Sequence, residues 1–296
     1  MSQSSTPNAT PRASRKTSVI AGVVRRLLQD RRMVVLLSCL AVLLFVAVFA
    51  PWLSPHNPDD AVAATPNMPL WSEGLLLGSD NQARDLLSRT LAGARISLFV
   101  SIVPTLAATV LSVLIGLFAG YAGGRVDAAL MAVLDIFFAF PIVLLAIAVA
   151  GVMGPGLLTI IVSIFVVLLP YITRVARTST QQVLSRPYIE AARSAGATSH
   201  DIMWRYILPN MIGPVIVYVT TLIGLMVVVA SGLSFLGLGV QPPTADWGAM
   251  VAEGAGVLRR SPHVTFVPGV MIVLTALLFN LIGDRLRDIF DPRSAG

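Results

Sequence analysis

The residues of this sequence that are suited to chemistry or to recognition are concentrated in one polar stretch, YIEAARSAGATSHDIMWRYILPN, at positions 188–210. It carries acids and bases between two of the most apolar parts of a chain in which only 12% of the residues are charged. The residues alone leave two interpretations open. The stretch is either a docking element for another protein or a structural loop between two apolar segments.

The other reactive residues form no recognisable active site or metal site. His56, His200 and His263 lack the spacing of metal ligands, and the single cysteine, Cys39, lies in an apolar run. The only lysine, Lys16, lies in a tail segment that lacks the glycines of a phosphate-binding loop. We therefore expect no catalytic residue and no metal or other cofactor bound by this chain.

The elements that position these residues are predicted to be membrane helices. Of the 296 residues, 55% are hydrophobic, and the charged fraction is about half that of a typical soluble domain. A membrane span requires about 20 mainly apolar residues. Six windows satisfy this requirement: 33–53, 96–121, 128–153, 156–173, 211–231 and 265–283.

The distribution of positive charge predicts that both termini are cytoplasmic. All of the 21 Lys and Arg residues fall on the side of the N-terminus, except Arg84, Arg89, Arg95, Arg259 and Arg260. The formal charge of +6 reflects this topology and gives no indication of a nucleic-acid partner, because the basic residues flank apolar runs. The stretch at 188–210 is accordingly predicted to face the cytoplasm.

The chain divides at the ends of these predicted helices. We predict a basic, partly disordered cytoplasmic tail, a first transmembrane helix, an extracytoplasmic segment, a helical core and a short C-terminal tail (1–32, 33–53, 54–95, 96–290 and 291–296). The core contains the cytoplasmic loop 174–209. Within the second span, Gly116 and Gly120 form a GxxxG pattern that predicts close packing of two helices.

The extracytoplasmic segment is predicted to end in an amphipathic helix that rests on the outer membrane surface. Ser79 is placed to cap this helix. Asp80 with Arg84, and Asp85 with Arg89, have the acid-before-base spacing of four that stabilises a helix.

The polar stretch itself predicts two short helices separated by a bend. Pro187 and Glu190 suit the first turn of a helix, and Gly196 suits the left-handed position that ends one. Thr198 is placed to cap a second helix, which Pro209 is predicted to end. Ala191, Ala192 and Ala195 would let a partner approach the first helix closely, and Ile202, Met203, Tyr206 and Ile207 give the second an apolar stripe.

A single acid, Asp135, lies well inside a predicted span, where an unpaired carboxylate is costly. Two roles remain open for it. It pairs with an arginine of the cytoplasmic side or with another subunit, or it lines a translocation path.

The stretch EAARSAG, followed after nine residues by YILP, resembles the EAA motif of the permease subunits of ABC importers. Other stretches resemble the dipeptide, oligopeptide and nickel permeases of the DppC/OppC type: LGSDNQARDLLSR at 77–89, LSFLGLGVQPPTADWGAM at 233–250, and the pair Arg174 and Arg177. Tyr206 stands where the general motif has isoleucine, at a position that accepts bulky residues. The chain departs from the family pattern in two further places. Ala83 replaces a usual glycine, which argues against a required turn there, and Ala132 replaces an arginine near Asp135.

The resemblance implies an all-α membrane protein with a five-helix permease core plus one N-terminal helix, in the bacterial inner membrane. It implies a non-catalytic subunit that imports di- or oligopeptides, and less commonly nickel or glutathione. The implied partners are a second permease subunit, two ATPase subunits that bind ATP and Mg, and an extracytoplasmic substrate-binding protein. The residues that would couple this chain to the ATPase are Glu190, Ala191, Ala192, Gly196, Leu208 and Pro209.

A different class of function also accounts for an acid within a span. Ion-coupled secondary transporters use intramembrane carboxylates, and Asp135 would be the coupling acid in such a carrier. Such carriers also have inverted repeats, and this sequence shows no repeat.

Overall fold

The computed structural model describes Leu27 and residues 29–290, and the regular secondary structure within them is helical. Five of its helices are long and apolar enough to cross a membrane, or six if α3 and α4 count as one bent span, which confirms the predicted fold class. The predicted tails lie largely outside the described residues, at 1–26, 28 and 291–296. In chain order the helices are α1 (Arg31–Leu53), α2 (Leu86–Ala122), α3 (Gly124–Phe138), α4 (Ile142–Met153), α5 (Leu157–Leu184), α6 (Pro187–Ser194), α7 (Ser199–Phe235), α8 (Trp247–Ala255) and α9 (His263–Phe290).

The third predicted span is broken into two helices. Its residues form α3 and α4, whose axes differ in direction by 84°, so the prediction of one continuous helix over 128–153 is wrong. The cause is Pro141, which lacks an amide hydrogen and disfavours helical geometry at Phe140 before it. Hydropathy alone does not distinguish a bent pair from a straight helix.

Close approach of α2 and α5 forms the centre of the bundle. A Cβ atom built on Gly116 would lie 2.6 Å from the Cβ of Ala176, and one built on Gly120 would lie 2.8 Å from the Cβ of Thr180. The predicted packing role of this glycine pair is thus confirmed. Gly224 has the same function where α7 meets α9, since its Cβ would lie 2.8 Å from the carbonyl oxygen of Ala276.

The second transmembrane helix starts about ten residues earlier than the predicted span at 96–121, because the residues before that span belong to the same helix. It begins at Leu86, and its cap is Asp85, whose carboxylate accepts hydrogen bonds from the N–H groups of Leu87 and Ser88. Ser79 instead holds the preceding loop, because its hydroxyl donates to the carbonyl of Thr65. The prediction of a separate amphipathic helix capped by Ser79 is therefore wrong.

A left-handed residue explains why no helix forms before Leu86. Ala83 has a φ of +60°, and its carbonyl oxygen accepts hydrogen bonds of 2.9 Å from the N–H groups of both Val62 and Ala63. The turn is present although this chain lacks the family's glycine. Our interpretation that alanine argues against a required turn is wrong, because the loop holds the alanine in a conformation that costs about 1–2 kcal/mol.

Candidate functional site

The predicted helix at the start of the polar stretch is present as α6, which ends in a glycine bend. Pro187 occupies its first turn, and Gly196 follows it with a φ of +82°. The N–H of Gly196 donates to the carbonyl of Arg193, and the N–H of Ala197 donates to that of Ala192 at 3.0 Å. These two bonds form a Schellman motif, in which the left-handed residue is usually glycine.

The second predicted helix begins where expected but does not end at Pro209. The hydroxyl of Thr198 accepts a hydrogen bond from the N–H of Asp201 and caps α7, and the helix then continues to Phe235. Residues Ile202–Ile207 are a π-helix, and the N–H of Leu208 donates to the carbonyl of Met203, five residues earlier. This wider turn lies directly before Pro209 and accommodates its missing N–H, so the chain stays helical.

Four buried aliphatic side chains fasten the segment to the end of the bundle. Ile189 and Ala192 project inward from α6, and Ile202 and Ile207 project inward from the π-helical turn. The predicted apolar stripe is wrong at Tyr206, whose side chain is exposed. In a π-helical turn, residues five apart lie on the same face, so Ile202 and Ile207 align and Tyr206 is turned away.

The surface of this segment differs in part from the prediction. Glu190, Ala191, Gly196 and Pro209 are exposed and Leu208 is half-buried, whereas Ala192 is buried against the same chain and is not part of the surface. Sequence reasoning missed three exposed aromatic side chains around α6: Tyr188, Trp204 and Tyr206. Aromatic residues in an otherwise polar insert were the available signal. Together they give the segment a mixed acidic and aromatic surface.

Asp135 is paired rather than isolated. The guanidinium of Arg174 on α5 donates a 2.6 Å hydrogen bond to its carboxylate, and the same guanidinium lies 4.1 Å from the ring centroid of Phe138. A second ion pair, which sequence reasoning missed, joins Asp127 to Arg177. Both pairs fasten α3 to α5 at the end of the bundle nearest α6.

A larger group of charges, which we call the outer ion cluster, lies at the N-terminal end of α2. It comprises Asp80, Arg84, Arg89 and Glu253. Arg84 lies 2.7 Å from Asp80 and 2.8 Å from Glu253, and Arg89 lies 3.1 Å from Asp80. The predicted pair Asp80–Arg84 thus forms in a loop and not in a helix, and Arg89 pairs with Asp80 instead of Asp85.

A buried carboxylate starts α8 next to this cluster. Asp246 accepts hydrogen bonds from the N–H groups of Gly248 and Ala249 and from the hydroxyl of Ser97. Burial raises the pKa of the Asp246 carboxyl above its usual range, and these donors partly oppose the rise. The residue therefore closes the helix N-terminus at an electrostatic cost.

Neither charged region resembles a metal site. Within residues 29–290, the His, Cys, Asp and Glu side chains form no group of three or more that could hold a metal ion. The acids of the outer ion cluster, Asp127 and Asp135 are instead joined to arginines.

Comparison with known proteins gives consistent matches over most of the chain. The family model described as "Binding-protein-dependent transport system inner membrane component" matches residues 112–296, and the "N-terminal TM domain of oligopeptide transport permease C" matches 18–69. The chain is 39% identical to the di/tripeptide transport permease DppC of Pseudomonas aeruginosa, covering 85% of each protein. It is also 39% identical to the glutathione transport permease GsiD of Pectobacterium atrosepticum, covering 89% of this chain and 88% of the relative.

Solved structures show the same fold at lower sequence identity. An inward-facing structure of the MetNI methionine ABC transporter superposes with a TM-score of 0.58 at 20% identity, covering 70% of this chain and 98% of its own. A crystal structure of an amino acid ABC transporter gives a TM-score of 0.51 at 17% identity, covering 68% and 94%. The family models and the relatives indicate the same family, and the arrangement of the helices is the fold of these solved transporters. The chain belongs to the family of inner membrane components of binding-protein-dependent ABC transport systems.

Proposed function

We propose that this chain is the transmembrane permease subunit of an ATP-driven importer that moves di- or oligopeptides into the cytoplasm. The relatives named above are permeases for di/tripeptides and for glutathione, so the substrates of the matched relatives are peptides. Nickel and glutathione are the alternative cargoes. In this proposal, the segment 187–207 receives the movement of separate ATPase subunits and passes it to the bundle.

The observation that carries the proposal is the construction of that segment. Four buried side chains and a Schellman bend fix its position, while Glu190 and three aromatic side chains remain exposed. A loop that only joined two spans would require neither the fixed bend nor the anchored helix. A surface that must transmit force requires both, because a flexible contact would absorb the displacement.

The partners follow from the same assignment. Two ATPase subunits would bind ATP and Mg and would contact Glu190, Ala191 and Gly196, with Tyr188 and Trp204 at the edge of the contact. A second permease subunit would complete a heterodimer within the lipid bilayer. An extracytoplasmic binding protein would deliver the substrate near residues 54–95 and 233–264.

The ion-coupled carrier receives no support from these observations. Its coupling acid would have to take up and release a proton, whereas the carboxylate of Asp135 is joined to the guanidinium of Arg174.

Replacement of Gly196 tests the proposed coupling. No atom lies within 4 Å of a Cβ built on Gly196, so a side chain there creates backbone strain without a steric clash. We expect Gly196→Val to reduce substrate uptake by about tenfold or more, because a β-branched residue disfavours the left-handed conformation. Substrate uptake by cells would be measured together with ATP hydrolysis in membranes and with the amount of membrane-inserted protein.

The matched control is Gly196→Asn, since asparagine tolerates positive φ better than other non-glycine residues. It should retain most of the uptake that valine removes. Normal uptake by Gly196→Val, with normal expression, would contradict the proposed role of the bend.

Crosslinking tests the proposed contact directly. The chain has one cysteine, Cys39, so Cys39→Ser provides a background free of other thiols in this subunit. Tyr188→Cys in that background should form a crosslink with an ATPase subunit. The control Val152→Cys, at an exposed position in the separate helix α4, should not. Absence of any crosslink from position 188 during turnover would refute the docking of this segment.

A further inference from the structure

A cleft of about 360 Å³ opens between α3, α5 and α7, at the end of the bundle that carries α6. Its lining is unusual for the membrane-embedded part of a protein: Phe138, Tyr171, Arg174, Thr178, Gln182 and Tyr218 contribute aromatic or polar side chains. The volume falls within the range of about 300–1,000 Å³ that is typical of small-molecule sites.

The polar lining forms one continuous face of α5. Tyr171, Arg174, Thr178 and Gln182 are spaced three or four residues apart, which places them on one side of the helix. The opposite side, which includes Ile172 and Ala176, is fully buried in the bundle. A polar face of this length is costly in hydrocarbon, so it is suited to a water-filled path between subunits.

The ion pair at this cleft is exposed and rests on aromatic rings. The side chains of Arg174 and Asp135 are 49% and 56% exposed, although they are only 2.6 Å apart. The guanidinium of Arg174 lies over the ring of Phe138, whose centroid is 4.6 Å from that of Tyr171. In a water-filled cleft, an exposed ion pair contributes little to stability, so its two charges would be separated at low cost.

The neighbouring ion pair, Asp127–Arg177, is less exposed and is suited to holding two helices together. The side chains of Arg177 and Asp127 are 28% and 10% exposed, and two nitrogens of the guanidinium bond both carboxylate oxygens. This bidentate pair is sufficient to hold α3 against α5. The pair Asp135–Arg174 is therefore available for another purpose.

We propose that Asp135 and Arg174 form a transit site for zwitterionic peptides, in which Arg174 receives the peptide carboxylate and Asp135 receives the peptide ammonium group. The inference rests on the proposed function and specifies the chemistry of its path. The empty site is neutral because the two residues pair with each other, and the loaded site is neutral because the peptide carries one charge of each sign. Exchange between these states requires no buried net charge, and weak binding allows release, as permeation demands.

The aromatic rings complete the site without selecting a sequence. Phe138 holds the guanidinium by a cation–π contact, which keeps Arg174 in place while its ion-pair partner changes. Tyr171 and Tyr218 offer flat surfaces to peptide side chains of any kind. Such a site recognises the charged ends that short peptides share.

The test compares two double variants in the complete transporter reconstituted in liposomes. Asp135→Asn with Arg174→Gln retains hydrogen-bonding groups but removes both charges. Asp127→Asn with Arg177→Gln makes the same change at the pair that holds α3. The measurement is the amount of dialanine delivered per ATP hydrolysed at saturating binding protein, together with the thermal stability of each purified complex.

We expect the variant at positions 135 and 174 to deliver about tenfold less dialanine per ATP, with little change in thermal stability. The variant at 127 and 177 should lose thermal stability and keep its delivery ratio closer to that of the wild type. A dipeptide with a photoreactive side chain should crosslink to the cleft during turnover in the wild type. This crosslink should be lost in the double variant Asp135→Asn with Arg174→Gln.

Three outcomes would overturn the inference. If the wild type delivers dialanine and the variant at 135 and 174 delivers the same amount per ATP, the transit site is refuted while the importer remains. If that variant loses thermal stability in parallel with delivery and the photocrosslink persists, the pair only holds the helices together. If the wild type delivers no peptide, the proposed function fails, and the transit site fails with it.

Discussion

The outer ion cluster and the pair Asp135–Arg174 both join acids to arginines across separate elements, but they differ in burial and in connectivity. In the cluster, Arg84 and Arg89 are 1–2% exposed, and each has two acidic partners. In the inner pair, half of each side chain is exposed, and one contact joins the two. Breaking the first leaves buried charge without a partner, whereas breaking the second leaves charges that are open on the surface of this chain.

This difference indicates which end of the molecule is fixed and which can rearrange. The outer ion cluster joins the loop before α2 to α8, and Asn81 adds a hydrogen bond to the backbone carbonyl of Glu253. The inner end is held mainly by helix contacts and by the bidentate pair of Asp127 and Arg177. We infer that conformational change is easier at the inner end.

Removing one arginine from the outer ion cluster should cause the largest loss of stability. Arg89→Leu would leave Asp80 and Glu253 with one buried partner fewer, and we expect a loss of about 3–5 kcal/mol in the free energy of unfolding. Thermal unfolding of the detergent-solubilised complex and the yield of folded protein would measure it.

Arg95→Leu is the matched control, because Arg95 lies on the same helix but is exposed. It should change stability by less than about 0.5 kcal/mol. Equal effects of the two substitutions would show that the outer ion cluster contributes no special stability.

Asp246 is a buried acid of the same end that has backbone donors instead of an arginine. Asp246→Ala removes the cap of α8 and should cost about 1 kcal/mol, whereas Asp246→Asn keeps a capping oxygen and should cost less. Thermal unfolding at pH 5 and at pH 7.5 would compare the variants.

The effect of pH has a definite sign. Because burial raises the pKa of Asp246, the folded protein binds more protons than the unfolded chain between the usual and the raised pKa. Its contribution to stability therefore falls as pH rises through that window. Asp246→Asn should gain stability relative to the wild type as pH increases, and a constant difference between them would contradict the raised pKa.

Ala83 offers a gain in stability at the loop that carries the cluster. Glycine adopts positive φ without the Cβ penalty, so Ala83→Gly should stabilise the protein by about 0.5–1 kcal/mol after the entropic cost of glycine is included. The control Ala129→Gly, exposed within α3, should destabilise by about 1 kcal/mol. The opposite signs would be visible as opposite shifts in the midpoint of thermal unfolding.

The smallest effect on stability is expected at the exposed pair. Asp135→Asn with Arg174→Gln should change the free energy of unfolding by about 0.5 kcal/mol or less, since exposed ion pairs contribute little. Thermal unfolding of the solubilised complex would measure it against Arg89→Leu. A loss as large as that of Arg89→Leu would remove the contrast between the two regions.

Local signals in the sequence predicted the segment around α6 well. Pro187, Gly196 and Thr198 act within a few residues of themselves, and their predicted roles in starting, ending and capping helices are all present. Each of these effects depends on one turn of backbone. The packing role of Gly116 and Gly120 was predicted equally well, since residues four apart lie on the same face of a helix.

The failures share a different cause. Asp80 and Arg84 have a helical spacing, but their geometry is set by Glu253, which is more than 160 residues away in the chain. Pairing of Asp135 with an arginine was one of the two roles left open, and the sequence could not choose Arg174 because that residue is 39 residues away, on a helix whose rotation the sequence does not reveal. Pro209 looked like a helix end because the π-helical turn that accommodates it has no sequence signature of its own.

That π-helical turn also determines how far a displacement at the inner end can travel. Because the chain does not stop at Pro209, Ser199 and Phe235 belong to a single rod of 37 residues, whose length is about 55 Å. In the proposed coupling, such a rod would act as a lever arm across the full thickness of the bilayer. A tilt imposed next to Thr198 would reach the opposite membrane face through one helix, without a loop in which the motion could dissipate.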